Sequence, residues 1–197
     1  MKKRLKKAIF LLFTILVIVI AIIATFFSLK KAKSKEKIEN VIEYFSDEKI
    51  EERLETNENT EISTDELMLK MDDESVIGVI KIEKIDFEGL IYDGTSLDVL
   101  EKGVGHFENS PYYDGNVCLA AHNSNKFWAK LYTLEIGDEI QYISFLGTRR
   151  YEVAEMTEIL EDEWTKVENS NENMITLITC VKGRPELRLC VQAKEIK

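Results

Sequence analysis

Residues 174–180 read MITLITC. It is an apolar, β-branched run that ends in a cysteine and leads into a polar loop containing Gly183 and Pro185. Such a run, bounded by turn residues, is typical of a short strand. A strand end can hold a side chain rigidly at the rim of a groove, so Cys180 is a candidate nucleophile.

The same β texture extends through the region 76–197. Short β-branched or alternating runs are separated by Gly and Asp turn residues, which predicts seven or eight strands with few helices. The predicted strands lie at 76–85, 90–92, 116–121, 139–145, 149–156, 175–180 and 187–193. Short helical segments are predicted at 96–102 and 127–134. This pattern indicates a mostly β domain, built as a closed barrel or a sandwich.

An uncharged, apolar run occupies residues 8–27, and a Lys/Arg-rich tip precedes it. Twenty helical residues span about 30 Å, the thickness of the hydrocarbon core of a membrane. The exit from this run is a poor cleavage site, so we predict an uncleaved anchor rather than a signal peptide. The basic bias on the two flanks is nearly equal, so orientation follows the usual outcome for a first span, with the N-terminus inside.

The chain therefore divides into four predicted segments: a cytoplasmic tip (1–7), a transmembrane signal anchor (8–28), an acidic, partly helical stalk (29–75) and a catalytic domain (76–197). Helical spacing predicts an amphipathic helix over 34–56, and polar residues predict a flexible spacer over 56–64. The stalk is either a solvated spacer or an autoinhibitory segment on the catalytic face.

Charge and cysteine content exclude several classes of function. The net charge of −10 argues against a nucleic-acid partner, which needs clustered Lys and Arg to neutralise phosphates. The three cysteines, Cys118, Cys180 and Cys190, lack the paired spacing of a zinc site and are too few for a disulfide scaffold. No metal site and no cofactor are predicted. The odd count leaves at least one free thiol.

Two further residues at strand ends have the chemistry that a cysteine nucleophile needs. His122, one of only two histidines, follows the predicted strand at 116–121, and Arg188 lies at the start of the last strand. An imidazole can accept and donate protons, and a guanidinium can stabilise a thiolate or a developing oxyanion. His106 is the alternative acid and Arg184 the alternative cation.

Several motifs in register resemble the sortase family over roughly residues 76–197. The stretch TLITC at 176–180 matches the family signature TLxTC, and GVIKI at 78–82 matches a GxIxI strand. A Gly-x-Gly-His element lies at 103–106, a Gly-Asn-x-x-x-Ala-x-His element at 115–122 and an Arg-x-x-Val-x-Ala strand at 188–193. Sortases usually have Gly-His-Arg at the catalytic histidine, whereas this chain has Ala121, His122 and Asn123.

The resemblance implies a closed eight-stranded β-barrel and a membrane-anchored cysteine transpeptidase. Such an enzyme cleaves LPxTG-like sorting signals of surface proteins between Thr and Gly or Ala, and transfers them to an amine of a cell-wall precursor. Carried over by residue, Cys180 is the nucleophile, His122 the general acid and base, and Arg188 the residue that binds the substrate backbone and oxyanion. The short segment between Leu160 and Ile175 argues against class B, and the resemblance is class D-like, with classes A and E as alternatives.

Two competing functions stay open on the sequence. One is a thiol hydrolase that releases its acyl-enzyme to water, and the other is a catalytically silent module that binds the cell envelope. Cys118 and Cys190 are predicted to be strand-interior residues, with a disulfide between them as the alternative.

Overall fold

The structure is a computed structural model that describes residues 2–46, 68–71 and 74–196. It divides into two compact units, Met1–Glu39 and Asn40–Lys197, which are described separately. Helix α1 runs over Lys2–Tyr44 and begins in the first unit. The predicted helix over 34–56 is observed as the last part of α1, as far as Tyr44. Phe45 and Ser46 form a turn rather than helix. The rest of the predicted helix, 47–56, and the predicted spacer over 56–64 lie outside the described residues.

The apolar part of α1 is long and apolar enough to cross a membrane. Its large apolar side chains from Phe10 to Leu29 are exposed rather than packed in a protein core. The hydroxyls of Thr14 and Thr25 donate to the carbonyls of Leu11 and Ile22 at 2.8 Å. Both threonine hydroxyls are therefore satisfied within the helix, as an apolar environment requires.

The second unit is a closed, mixed β-barrel. Eight strands follow in the order β2-β3-β4-β5-β8-β9-β7-β6, and β6 pairs with β2 to close the barrel. The short strand β1 is added to β2. The pairs β3–β4 and β5–β8 are parallel, and the others are antiparallel. The strands are β1 Leu69–Met71, β2 Glu74–Ile82, β3 Phe87–Asp93, β4 Val104–His106, β5 Asn116–Ala120, β6 Glu139–Ser144, β7 Gly147–Leu160, β8 Met174–Val181 and β9 Arg184–Ile196. The predicted mostly β, eight-stranded barrel is confirmed.

Short helical segments connect the strands. Helix α2, Leu97–Lys102, begins after Ser96, whose hydroxyl accepts from the backbone N–H of Val99 as an N-cap. Short 3-10 turns lie at Glu83–Ile85, Leu131–Thr133 and Thr165–Val167. The helix predicted over 127–134 is wrong. The N–H of Trp128 binds the carbonyl of His122 rather than that of Ser124, so this segment forms successive turns ending in a 3-10 turn.

The core fills the barrel and extends to its outer face beneath one loop. Inside, β5 and β8 contribute fully buried Val117, Leu119, Ile175 and Leu177. Parallel strands covered on both faces read as continuous apolar runs, which explains the MITLITC sequence. On the outer face, Ile178 of β8 forms a second buried cluster with Ile159 and Cys190. Phe107 and Val167 pack against this cluster.

Candidate active site

Cys180 lies close to the end of β8 and its side chain is exposed. In the pairing of β8 with β9, Cys180 is directly opposite Arg188. The next pair joins Val181 to Arg184, so β9 contains a bulge between Arg184 and Arg188. Gly183 closes the hairpin with a φ of 79°, a conformation that favours glycine. This hairpin places a cation beside the thiol-bearing residue.

His122 reaches the same end of the barrel through β5. Because β5 and β8 are parallel, with Ala120 opposite Ile178, both strands end at the same rim. The N–H of Ala121 donates to the carbonyl of Ile178 at 3.2 Å. The buried hydroxyl of Thr179 donates to the carbonyl of Ala121 at 2.7 Å. The segment that carries His122 is thus bound directly to the segment that carries Cys180.

A groove of about 300 Å³ opens at this rim. All three residues predicted for the site, His122, Cys180 and Arg188, line it. Its walls are mainly apolar, and the exposed side chains of Leu97, Leu160 and Trp164 contribute to them. Glu161 and Glu163 bring two carboxyl groups to the same groove.

The guanidinium of Arg188 is held by three protein acceptors. Its Nη1 donates to the carbonyls of Pro185 at 2.6 Å and Leu187 at 2.9 Å. Its Nη2 donates to the Glu161 carboxylate at 2.8 Å. An arginine carries five N–H groups, so one on Nε and one on Nη2 have no acceptor among the residues that the structure describes. These N–H groups remain as donors for an oxyanion or a carbonyl.

The alternative cation, Arg184, has a different environment. Its guanidinium forms an ion pair with Glu158, and it does not line the groove. The pair Arg184–Glu158 and the pair Arg188–Glu161 both join the β7 side of the sheet to β9. The two ion pairs are therefore comparable, but Arg184–Glu158 lies away from the groove and Arg188–Glu161 lies within it.

The other two cysteines are free, buried thiols. Burial raises the pKa of Cys118 to about 12 and the pKa of Cys190 to about 12, because desolvation disfavours the thiolate. Both are therefore poor nucleophiles at neutral pH. Cys180 is the exposed thiol of the three.

The second histidine, His106, is fully buried and is not among the groove residues. Its Nδ1 lies 3.3 Å from a carboxylate oxygen of Asp93, and its Nε2 lies 3.0 Å from the hydroxyl of Ser110. The ring stacks on Tyr112. The hydrogen bond from His106 is the main cause that lowers the pKa of Asp93, against the opposing effect of burial. His106 therefore belongs to a polar cluster inside the fold.

Sequence reasoning missed a buried asparagine that holds the groove wall. The amide of Asn116 donates to the carbonyls of Lys166 at 3.1 Å and Glu168 at 2.9 Å. Its side-chain oxygen accepts from the hydroxyl of Thr176 at 2.7 Å. These bonds attach the loop after β7, which contains Trp164, to strands β5 and β8. The Gly-Asn element at 115–116 was the available signal.

Sequence reasoning also missed Glu161 and Asn123. Glu161 binds Arg188, as described above, and the side-chain amide of Asn123 donates to the carbonyl of Cys180 at 2.7 Å. Both contacts join residues far apart in the sequence. Asn123 occupies the arginine position of the Gly-His-Arg motif, but that motif does not indicate this contact, and Glu161 belongs to no recognisable motif.

The fold and the groove define a β-barrel protein with a thiol, an imidazole and a guanidinium at one rim. The Sortase domain family matches residues 80–196. The chain belongs to the sortase family.

Curated relatives and solved structures agree with this membership. Sortase D of Bacillus subtilis (strain 168) is 32% identical over 130 residues, which cover 64% of this chain and 64% of that protein. Sortase A of Bacillus anthracis is 29% identical, covering 64% of this chain and 62% of that protein. The chain thus spans slightly less than two thirds of these relatives. A Clostridium perfringens sortase D5 transpeptidase structure is 31% identical, with a TM-score of 0.64, covering 83% of this chain and 98% of that one.

Proposed function

We propose that this chain is a membrane-anchored cysteine transpeptidase for LPxTG-like C-terminal sorting signals. It cleaves such signals between Thr and Gly or Ala and transfers the protein to an amine of a cell-wall precursor. The observation that carries this proposal is the convergence of Cys180, His122 and Arg188 on one groove. The relatedness to sortase D supports a class D-like enzyme.

In the acylation step, the Cys180 thiolate attacks the carbonyl carbon of the signal's Thr. A carbon–sulfur bond forms, and the carbonyl oxygen takes up the negative charge. The two unoccupied N–H groups of Arg188 stabilise that oxygen. The carbon–nitrogen bond then breaks, and His122 donates a proton to the leaving amine, because an amide nitrogen cannot leave as an anion at neutral pH.

In the second step, an acceptor amine attacks the thioester carbonyl. His122, now neutral, removes a proton from the attacking nitrogen. The carbon–sulfur bond breaks, an amide bond forms, and Cys180 leaves as the thiolate. The transfer needs no oxidant or reductant, and the thiolate and the protonated imidazole are restored for the next cycle.

The groove is suited to an extended peptide with apolar residues before the scissile bond. Leu97, Leu160 and Trp164 expose apolar surface along the groove, and burial of that surface favours a ligand by about 25 cal/mol per Å². A Leu-Pro pair of the sorting signal provides such a surface.

Product analysis with peptides tests the proposed function. Full-length protein in detergent is incubated with a panel of LPxTG and LPxTA peptides, with and without an added amine, and the products are identified by mass spectrometry. We expect cleavage after Thr and, with the amine present, a new amide product. Cleavage that never incorporates the amine would indicate the thiol hydrolase, and absence of any cleavage would indicate the silent envelope-binding module.

We propose that the segment 8–28 anchors the protein with its N-terminus inside and its body outside, with 29–75 as the stalk and 76–197 as the catalytic domain. The last residues of the stalk pair with the barrel as β1 and the start of β2. The exposed apolar surface of α1 supports an anchor. External protease added to intact cells is expected to digest the body and leave the tip intact. Lysed cells are the control, in which both are accessible. Full protection of the body in intact cells would contradict this orientation.

We propose that Glu161 holds Arg188 in position for the oxyanion. Glu161→Gln keeps an acceptor oxygen but removes the charge, and ion pairs with exposed partners contribute little, so kcat/KM should fall only about three- to five-fold. The matched control is Glu158→Gln, which removes the charge beside Arg184 outside the groove and should leave kcat/KM unchanged. A faster Glu161→Gln enzyme would show instead that Glu161 competes with substrate for Arg188.

A further inference from the structure

The regular pairing of β5 with β8 ends before the candidate site is reached. Its last pair is Ala120 and Ile178, two residues short of His122 and Cys180. Beyond this pair, hydrogen bonds from side chains connect the two segments in place of regular strand pairing. The hydroxyl of Thr179 binds the carbonyl of Ala121, and the side-chain amide of Asn123 donates to the carbonyl of Cys180 at 2.7 Å.

The backbone around His122 is held from both sides. The carbonyl of His122 accepts from the N–H groups of Ser124 at 2.9 Å and Trp128 at 3.1 Å, so the chain after the histidine turns tightly. Trp128 is almost fully buried and fixes this turn to the protein core. Asn123 lies within the turn, and its amide reaches back to β8. This bond ties the backbone that carries the imidazole to the backbone that carries the thiol.

We infer that Asn123 is a positioning residue that sets the placement of Cys180 relative to His122. This inference rests on the proposed function. Asn123 is not among the groove residues, so it acts through Cys180 and His122 rather than by touching a bound peptide. Small displacements between reacting groups have large effects, since a 1 Å misplacement can cost about 10²-fold in rate. One lost hydrogen bond of ordinary strength corresponds to about a ten-fold effect.

The chemistry that this position requires is an N–H donor that can reach the Cys180 carbonyl. Asparagine and glutamine both end in an amide with N–H donors, whereas aspartate has the size of asparagine but only acceptor oxygens when ionised. Asn123→Gln should therefore keep a donor for the contact, and Asn123→Asp should lose it. Asn123→Ala removes the donor without adding a charge. It therefore separates the loss of the hydrogen bond from the effect of the negative charge that Asn123→Asp introduces.

The test compares Asn123→Ala, Asn123→Asp and Asn123→Gln with wild type, as full-length proteins in detergent. Asn125→Ala is the matched control, because Asn125 is an exposed asparagine two residues further along the same loop. The measurements are kcat and KM with the LPxTG or LPxTA peptide that wild type cleaves best, and the melting temperature. The rate at which a methanethiosulfonate reagent labels Cys180 is measured as well, since it needs no peptide.

We expect Asn123→Ala and Asn123→Asp to lower kcat about ten-fold, with KM within two-fold of wild type and a melting temperature close to wild type. Asn123→Gln should recover kcat to within about three-fold, and Asn125→Ala should match wild type. Wild-type kcat in Asn123→Ala, a loss confined to KM, or failure of Asn123→Gln to recover activity would overturn the inference.

The labelling rate separates this inference from the proposed function. If wild type cleaves no peptide, the proposed function fails, and labelling alone decides whether Asn123 positions the site. Slower labelling of Asn123→Ala that Asn123→Gln restores would still support the positioning role. Equal labelling rates in all variants would overturn it.

Discussion

Replacing Cys180 by alanine is expected to abolish both peptide cleavage and reactivity toward a methanethiosulfonate reagent. Alanine has no nucleophile, and burial keeps the other two thiols, Cys118 and Cys190, protonated at neutral pH. Cys190→Ala is the matched control and should keep both properties. Cleavage that persists in folded Cys180→Ala protein would contradict the assignment of the nucleophile.

His122→Ala should also abolish measurable turnover. General acid–base catalysis contributes about 10²–10⁴-fold, and here the same imidazole is used in both steps. The double variant Cys180→Ala/His122→Ala should lose no more than Cys180→Ala alone, because residues that act as one unit are not additive. Turnover near wild type in folded His122→Ala protein would show that another group donates the proton.

A large effect is also expected at Arg188. Removing one oxyanion donor costs about 10²–10³ in rate, so Arg188→Ala should retain only a trace of kcat. Arg188→Lys should recover part of it, because lysine keeps the charge but lacks the planar pair of adjacent N–H groups. The measurement is peptide cleavage under single-turnover conditions, with folding checked for each variant.

Arg184→Ala is the control for this prediction. Arg184 has the same charge and a comparable ion pair, but it lies outside the groove. Its substitution should leave cleavage unchanged. A crippled Arg184→Ala enzyme beside a normal Arg188→Ala enzyme would show that the cation has been assigned to the wrong residue.

Much of the barrel could be predicted because its strands have clear local signatures. The MITLITC run predicted β8, and the runs at 139–145 and 149–156 predicted β6 and β7, which pair from Ser144 and Gly147 onward. Strand pairing could not be predicted from these local signatures. Periodicity does not say which strands are neighbours, so the closed eight-stranded barrel came from the family resemblance, and the structure confirms it.

The prediction of a helix over 127–134 is wrong because a hydrogen bond between His122 and Trp128 overrides the local spacing. Apolar residues at helical spacing predicted α-helix, but the carbonyl of His122 accepts a hydrogen bond from the N–H of Trp128. That bond anchors the backbone behind the histidine and prevents a regular helix from starting at Phe127. The segment that was wrongly predicted is therefore the one that positions His122.

The three proposed site residues could be selected from the sequence because each lies at a strand end and in a family motif. The structure brings them to one groove. Glu161 and Asn123 could not be selected, since their partners, Arg188 and Cys180, lie on other segments. Contacts of this kind depend on strand register and on loop geometry, and neither is encoded in local periodicity.

The most direct test of the central claim is the intact mass of the protein after brief incubation with a sorting-signal peptide and acid quenching, without acceptor amine. The account predicts a mass increase equal to the peptide fragment that ends in Thr, carried by Cys180 and absent from Cys180→Ala. Peptide cleavage without any such adduct, or an adduct on Cys118 or Cys190, would contradict it.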